Sequence, residues 1–237
     1  MTFSASAPPT KPVSIVLVHG AFVDGSGWKQ VYDILTQDGY EVLVVQNPTV
    51  TLEGDVATTR QVIARATNPV LLVGHSYGGA VITEAGADPK VRSLAYISAL
   101  APDVGESVLE LATRPVPGES GPPLLPPTDG FVIVDPAKFP TAFAADVDIS
   151  ITGFMAVAQV PWGLGALQPK LTKAAWRDKP VSWMLTTQDH MVSPTTQRFM
   201  ATRAKANLTE IHSSHAVMLS HPQEVARFIE EAAAQAE

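Results

Sequence analysis

The chain has 237 residues, 46% of them hydrophobic, a formal net charge of −7 and an isoelectric point near 5.3. Such a chain can bury one sizeable core, and its lack of any Lys/Arg block argues against nucleic acid or an anionic membrane as partner, leaving a small neutral substrate. With no cysteine, thiolate nucleophiles, disulfides and Cys-based metal sites are excluded.

The opening MTFSASAPPTKP has no basic start followed by an apolar core. It is therefore expected to be a loose tail and not a signal peptide, with the protein in the cytoplasm. Short apolar runs then occur at 13–18, 41–46, 70–73, 93–98, 181–186 and 207–212. Segments with a 3.6-residue period lie at 26–37, 53–66, 77–87 and 194–204. Such alternation predicts an α/β fold, a mostly parallel sheet of about six buried strands flanked by helices. The last helix is expected to start at Ser220-His221-Pro222-Gln223, where Ser followed three residues later by Gln has the form of a capping box.

One region breaks the alternation. Between about Pro102 and Asp178 no strand-helix unit is evident, and six prolines fall between Arg114 and Gly130. Proline fixes φ and removes a donor, which predicts extended coil there and not sheet. Helical pieces are expected near 139–147 and 149–159. The organisation predicted is a single domain, 1–237, with 103–178 inserted as a cap over the carboxyl ends of the strands, where open α/β sheets place their ligands. Residues 149–169 carry no charge, but Gly153, Gln159, Pro161, Gly163 and Gly165 interrupt them, so they are expected to be pocket lining or core and not a membrane span.

The run at 70–73 leads directly into Gly74-His75-Ser76-Tyr77-Gly78-Gly79. A G-x-S-x-G between a buried strand and a helix has the form of a nucleophile elbow, in which the serine takes a strained backbone and small neighbours avoid clashes. The amide of Tyr77, at the helix start, would face charge developing on an attacked carbonyl. Other glycine readings fail: Gly79 is followed by Ala80 and not by the Lys of a phosphate loop. Gly25-x-Gly27 lacks the third small residue of a dinucleotide fingerprint, having Gln30 there, and the second run ends at Gln46-Asn47 without an acid for a ribose.

A serine alcohol needs a base, and the base needs an orienting carboxylate. Of the six histidines, His215 stands in the loop HSSHAVMLS after the last run, at the edge expected for Ser76. His75 adjoins the serine and is expected to point away. His19 and His212 end strands, and His221 lies in a first helical turn. A metal pair from His212 and His215 has no third ligand at zinc spacing, so no metal is expected. Asp189 follows the fifth run, leaving room for a helix and a strand before His215. Asp103, after the fourth run, is the alternative. Asp189 is preferred because Ser, Asp and His then occupy consecutive strand exits.

Together, His19-Gly20-Ala21, Gly74-His75-Ser76-Tyr77-Gly78-Gly79, Asp189 and Ser214-His215-Ala216-Val217-Met218 resemble the α/β-hydrolase superfamily. More narrowly they resemble small esterases akin to plant methylesterases, hydroxynitrile lyases and bacterial pyrethroid-type carboxylesterases, over residues 13 to 233. The resemblance implies the α/β-hydrolase fold and a serine esterase without cofactor. Ser76 would be nucleophile, His215 base, Asp189 its orienter, and Ala21 the second oxyanion donor beside Tyr77. Phe22 would line the pocket. The lyase branch carries a Thr where Gly20 stands and a Lys where Ala216 follows His215, so lyase chemistry would leave departing cyanide without a cation.

The function expected is hydrolysis of neutral, hydrophobic carboxylic esters through an acyl-enzyme. Phe154, Met155, Trp162, Leu164 and Leu167 are expected above Ser76, with Phe22 and Trp28 on the opposite wall. Two rivals remain at this level. A receptor-like hydrolase scaffold with very slow turnover would differ in burst kinetics, and a degraded hydrolase would escape labelling by a serine-reactive phosphonate. Nothing in the sequence speaks to oligomeric state.

Overall fold

The computed structural model describes residues 9–119 and 121–236. Most of the expected N-terminal tail lies outside them. The strands are β1 (Ser14–Val18), β2 (Glu41–Val45), β3 (Val70–His75), β4 (Val91–Ile97), β5 (Phe131–Val132), β6 (Trp162–Gly163), β7 (Val181–Thr186) and β8 (Asn207–Ile211). Six of them form one sheet in the order β2-β1-β3-β4-β7-β8, parallel throughout.

The helices are α1 (Lys29–Gln37), α2 (Leu52–Arg65), α3 (Gly78–Ala85), α4 (Val108–Ala112), α5 (Phe139–Phe143), α6 (Ile149–Val157), α7 (Leu164–Leu167), α8 (Pro194–Arg203), α9 (Val217–Ser220) and α10 (Pro222–Ala233). Their starts follow local chemistry. Thr51 caps α2 by accepting from Gly54 N, with Glu53 and Asp55 in the first turn and Arg65 in the last, a charge order that suits the helix dipole. Ser193 caps α8 ahead of Pro194. Among the described residues no helix is long and apolar enough to cross a membrane.

Alternation along the strands divides the core in two. Ile15, Leu17, Leu71, Val73, Ala95 and Ile97 pack with Val31 and Leu35 of α1 and with Val225, Phe228 and Ile229 of α10. Val16, Val18, Leu72, Leu94 and Tyr96 join the opposite cluster with Ile63 of α2 and with α3. Because both faces are covered, central strands read as unbroken apolar runs. Each large side chain buried this way contributes roughly 1.5–3 kcal/mol. The edge strand β8 differs from the buried strand expected: most of it is exposed, and it carries Glu210, paired with Arg198. Charge on an edge discourages pairing with another chain.

The segment between β4 and β7 follows its own pattern. The proline-rich stretch is mostly irregular, but it is not wholly free of sheet, since Leu124 bridges Val134 and Thr128 bridges Phe131, while β5 pairs antiparallel with β6. Helices α5 and α6 are shorter than the sequence periodicity predicts. The segment's two ends are tied to each other by Gly105 N donating to Leu171 O (2.9 Å) and by the Asp103–Arg177 ion pair (2.7 Å).

The expected capping box at Ser220 does not form. Helix α10 starts at Pro222 behind His221, with no side-chain cap. Ser220 instead closes the short helix α9, and its hydroxyl meets Ser213 Oγ (3.0 Å) and His221 Nδ1 (2.9 Å).

Candidate active site

Parallel strands end on one side, and here the aligned ends of β1, β3, β7 and β8 bring distant loops together. Val18 is level with Gly74, Gly74 with Tyr96, Ile97 with Met184 and Thr186 with Ile211. His19-Gly20-Ala21, Ser76, Asp189 and His215 leave from that edge.

Ser76 has φ +55, a left-handed backbone that costs a non-glycine residue about 1–3 kcal/mol. Its surroundings impose it. A Cβ on Gly74 would stand 2.7 Å from Gly78 O, and one on Gly78 would stand 2.6 Å from Val18 O. Larger residues at either position would push the turn apart. Ser76 is 8% exposed, and a Cβ on Gly20 would approach Ser76 Cβ to 2.6 Å, so the loop after β1 lies directly against the serine. The amides of Ala21 and Tyr77 make no hydrogen bond among the described residues.

On the other side of the site, His215 Nδ1 lies 2.7 Å from Asp189 Oδ2 and both side chains are buried. A carboxylate only accepts, so Nδ1 carries a proton, and in the neutral ring Nε2 then presents a lone pair. That Nε2 is buried without a hydrogen-bond partner among the described residues. Asp189 is itself firmly held: Oδ2 also accepts from Thr186 Oγ1 (2.9 Å) and Gln197 Nε2 (3.0 Å), and Oδ1 from the amides of Met191 (2.8 Å) and Val192 (2.9 Å). Asp103, the alternative acid, pairs with Arg177 and has no bond to His215.

His75 does not turn away from the site as its position beside the serine predicts. Its ring centroid is 4.7 Å from that of His215, and its Nε2 donates to the His215 carbonyl (2.9 Å). Burial above all, then the neighbouring His215, pushes its pKa well below the ordinary imidazole value, so it packs as a neutral ring. His19 is likewise held low by burial, with Nε2 accepting from Asn47 N (2.8 Å).

A buried acid that motif reading misses sits behind the elbow. Asp55, at 0% exposure, accepts from the Tyr77 hydroxyl (2.6 Å) and from Thr49 N (2.9 Å). Burial raises its pKa despite these bonds, and burial with the adjacent Asp55 raises the Tyr77 phenol well above its ordinary value. Thr49 continues the chain of contacts, since its carbonyl accepts from Gly163 N (2.8 Å) and its hydroxyl donates to Pro161 O (3.1 Å).

The expected pocket residues separate into two groups. Phe22 (φ +67) and Trp162 are buried, their rings edge to face at 5.5 Å, and Trp162 packs on the Tyr77 ring at 5.1 Å. Trp28 and Leu167 are also buried. Phe154, by contrast, is 70% exposed on the rim of a cleft of about 240 Å³ that it lines with Phe22, Val23, Met155 and Leu219.

The fold and this edge define a hydrolase of the α/β class, and the comparisons agree. A family model described as the alpha/beta hydrolase family matches residues 15–228, and the chain belongs to that family. It is 28% identical over 248 residues to the probable hydrolase R7 of Phoma sp., covering 94% of this chain and 99% of that protein. It is 36% identical over 121 residues to the carbendazim hydrolyzing esterase of Nocardioides sp., covering 45% of this chain and 50% of that one. The crystal structure of the pyrethroid hydrolase PytH superposes with a TM-score of 0.82 at 23% identity, over 95% of this chain and 100% of that one.

Proposed function

We propose that this hydrolase cleaves neutral, hydrophobic carboxylic esters by a two-step acyl transfer. The observation that carries the reading is the buried Asp189–His215 pair, which leaves an Nε2 unpartnered among the described residues at the same sheet edge as a strained, nearly buried Ser76. In the first step His215 Nε2 takes the Ser76 hydroxyl proton as Oγ attacks the ester carbonyl. The amides of Ala21 and Tyr77, free of partners among the described residues, hold the oxyanion. The alcohol leaves with the proton from His215. Water then attacks the acyl-enzyme with the same assistance and releases the acid.

Asp189 fixes the imidazole tautomer and stabilises the imidazolium. The 103–178 segment serves as a cap over the strand ends, and its uncharged stretch 149–169 offers a substrate no ionic partner. The relatives named for carbendazim and for pyrethroids lend support to an esterase reading. Gly20 and Ala216, where the lyase branch carries Thr and Lys, speak against the lyase alternative, because departing cyanide would find no cation.

The test is labelling by a serine-reactive phosphonate alongside turnover of a chromogenic ester. Ser76→Ala is expected to keep the fold and lose both, since loss of a triad member costs several powers of ten; activity within about tenfold of the parent rejects the nucleophile. For the substrate class, kcat/KM for uncharged aryl or medium-chain esters is expected to exceed that for carboxylate-bearing analogues at least about tenfold. Equal turnover rejects the apolar pocket.

A further inference from the structure

The loop that carries His215 is held from both directions. On one side Gln188 N, next to Asp189, donates to Ser213 O (3.1 Å). On the other, residues 143–146 of the cap reach both flanks of the histidine. Asp146 Oδ2 accepts from Ser213 Oγ (2.7 Å) and Ser214 N (3.1 Å), and Asp146 Oδ1 accepts from Ser214 Oγ. Past the histidine, Ala216 N donates to Phe143 O (3.0 Å). The Phe143 ring meets the His215 ring edge-on, centroids 4.8 Å apart.

We infer that Asp146 is a positioning residue for the base, seating His215 against Ser76 from the cap side through Ser213 and Ser214. This rests on His215 being the base. The Asp146 side chain bonds Ser213 and Ser214, just before His215, and Ser220, just after it, and His221 Nδ1 lies 3.8 Å away on the same segment. The carboxylate therefore has no separate part of the core to hold. Partial burial pushes its pKa up, but the bonds from Ser214, Ser213 and Ser220 outweigh that and keep it below the ordinary carboxylate value, so at neutral pH it accepts from all its donors.

The geometry matters because proton transfer depends on sub-ångström placement, and a shift of about 1 Å in a catalytic group can cost about 10²-fold in rate. A cap that lifts at residues 143–146 also takes the seat of the base with it. Turnover then requires a closed cap on this edge, which keeps bulk water from an assembled base.

Asp146→Ala and Asp146→Asn are compared with the parent in kcat per active site, the sites being counted by the burst of a chromogenic ester, with KM and thermal stability measured in parallel. The Asn side chain keeps one acceptor oxygen but loses the other. Expected is a fall in per-site kcat of at least about tenfold for Ala, a smaller fall for Asn, and little change in KM. Ser213→Ala/Ser214→Ala, which leaves the cap intact, should reproduce the fall and add little to Asp146→Ala, since groups in one network are not additive. A lower Tm or fewer titratable sites with per-site kcat within about threefold of the parent would mean a merely structural clasp and overturn the inference. His215→Ala separates the two levels: if it abolishes turnover while Asp146→Ala does not, only the positioning role fails, whereas surviving turnover removes the base and the inference with it.

Discussion

On the base side of the site Asp189 accepts five hydrogen bonds, two of them from backbone amides, whereas on the elbow side Asp55 accepts only two, from Tyr77 and Thr49. Both carboxylates are buried, at 3% and 0% exposure. Burying a charge is costly unless hydrogen bonds replace its water, so the two sites meet the same demand with different completeness. In the proposed mechanism the well-satisfied acid touches the group that changes protonation state in each cycle. The poorly satisfied one touches a phenol whose pKa is held far above neutrality, which stays protonated and serves as an anchor. The contrast sets an acid proposed to serve chemistry beside one that serves architecture, and each can be broken alone.

The largest effect is expected on the base side. Asp189→Asn places an amide where His215 needs an acceptor and favours the wrong imidazole tautomer, so turnover should fall by about 10⁴ with folding retained. Asp103→Asn, which only loosens an ion pair with the exposed Arg177, should leave kcat within a few-fold of the parent. Steady-state kinetics of the two variants decides this, and the reverse ranking would move the orienting role to Asp103.

Tyr77→Phe comes next. The backbone amide proposed for the oxyanion remains, so kcat should change by less than about tenfold, while the buried Asp55 loses one of its two donors at a cost of about 1–3 kcal/mol. For a chain of this size that corresponds to a Tm drop of roughly 2–12 °C. A large fall in kcat without loss of stability would show that the phenol, and not only the amide, takes part in the reaction.

These differences also mark what sequence reading reaches. The elbow and the six sheet strands are legible because each is local, a glycine spacing or an apolar run, and the Asp189–His215 contact, though 26 positions apart, because both residues follow strand exits. Asp55 and Asp146 are not, since neither follows a strand exit or stands in a motif: Asp55 lies in the first turn of α2 and Asp146 between α5 and α6. Helix α6 defeats periodicity in another way. It is apolar all round, so nothing in ISITGFMAV tells that Thr152 and Ala156 face inward while Ile149, Phe154 and Val157 are exposed. His75 is misjudged because alternation along a strand fixes a side, but not what the loops fold against that side. The Ser220 capping pattern fails because a preceding helical turn, α9, already uses that serine.

The smallest expected effect is a pH dependence on the elbow side. Burial raises the Asp55 pKa in the folded protein above the unfolded value of about 3.9. A raised folded pKa means that the unfolded chain ionises first. The stability contributed by the protonated carboxyl is thus fully present below about pH 3.9 and is lost as pH rises through the folded pKa. Asp55→Asn cannot ionise and lacks this term. Its amide oxygen can still accept from Thr49 N, and its NH₂ group can donate to the Tyr77 oxygen, so the substitution keeps two contacts and adds a pH-independent offset. The stability of Asp55→Asn minus that of the parent should therefore shift in favour of Asn between about pH 4 and pH 7. Taking the difference cancels every other titrating group that the two proteins share. Denaturant titrations at closely spaced pH values give this difference directly. If the two stability curves run parallel across that range, the Asp55 carboxyl has an ordinary pKa and the elbow acid is as well satisfied as Asp189, which would erase the contrast between the two sides.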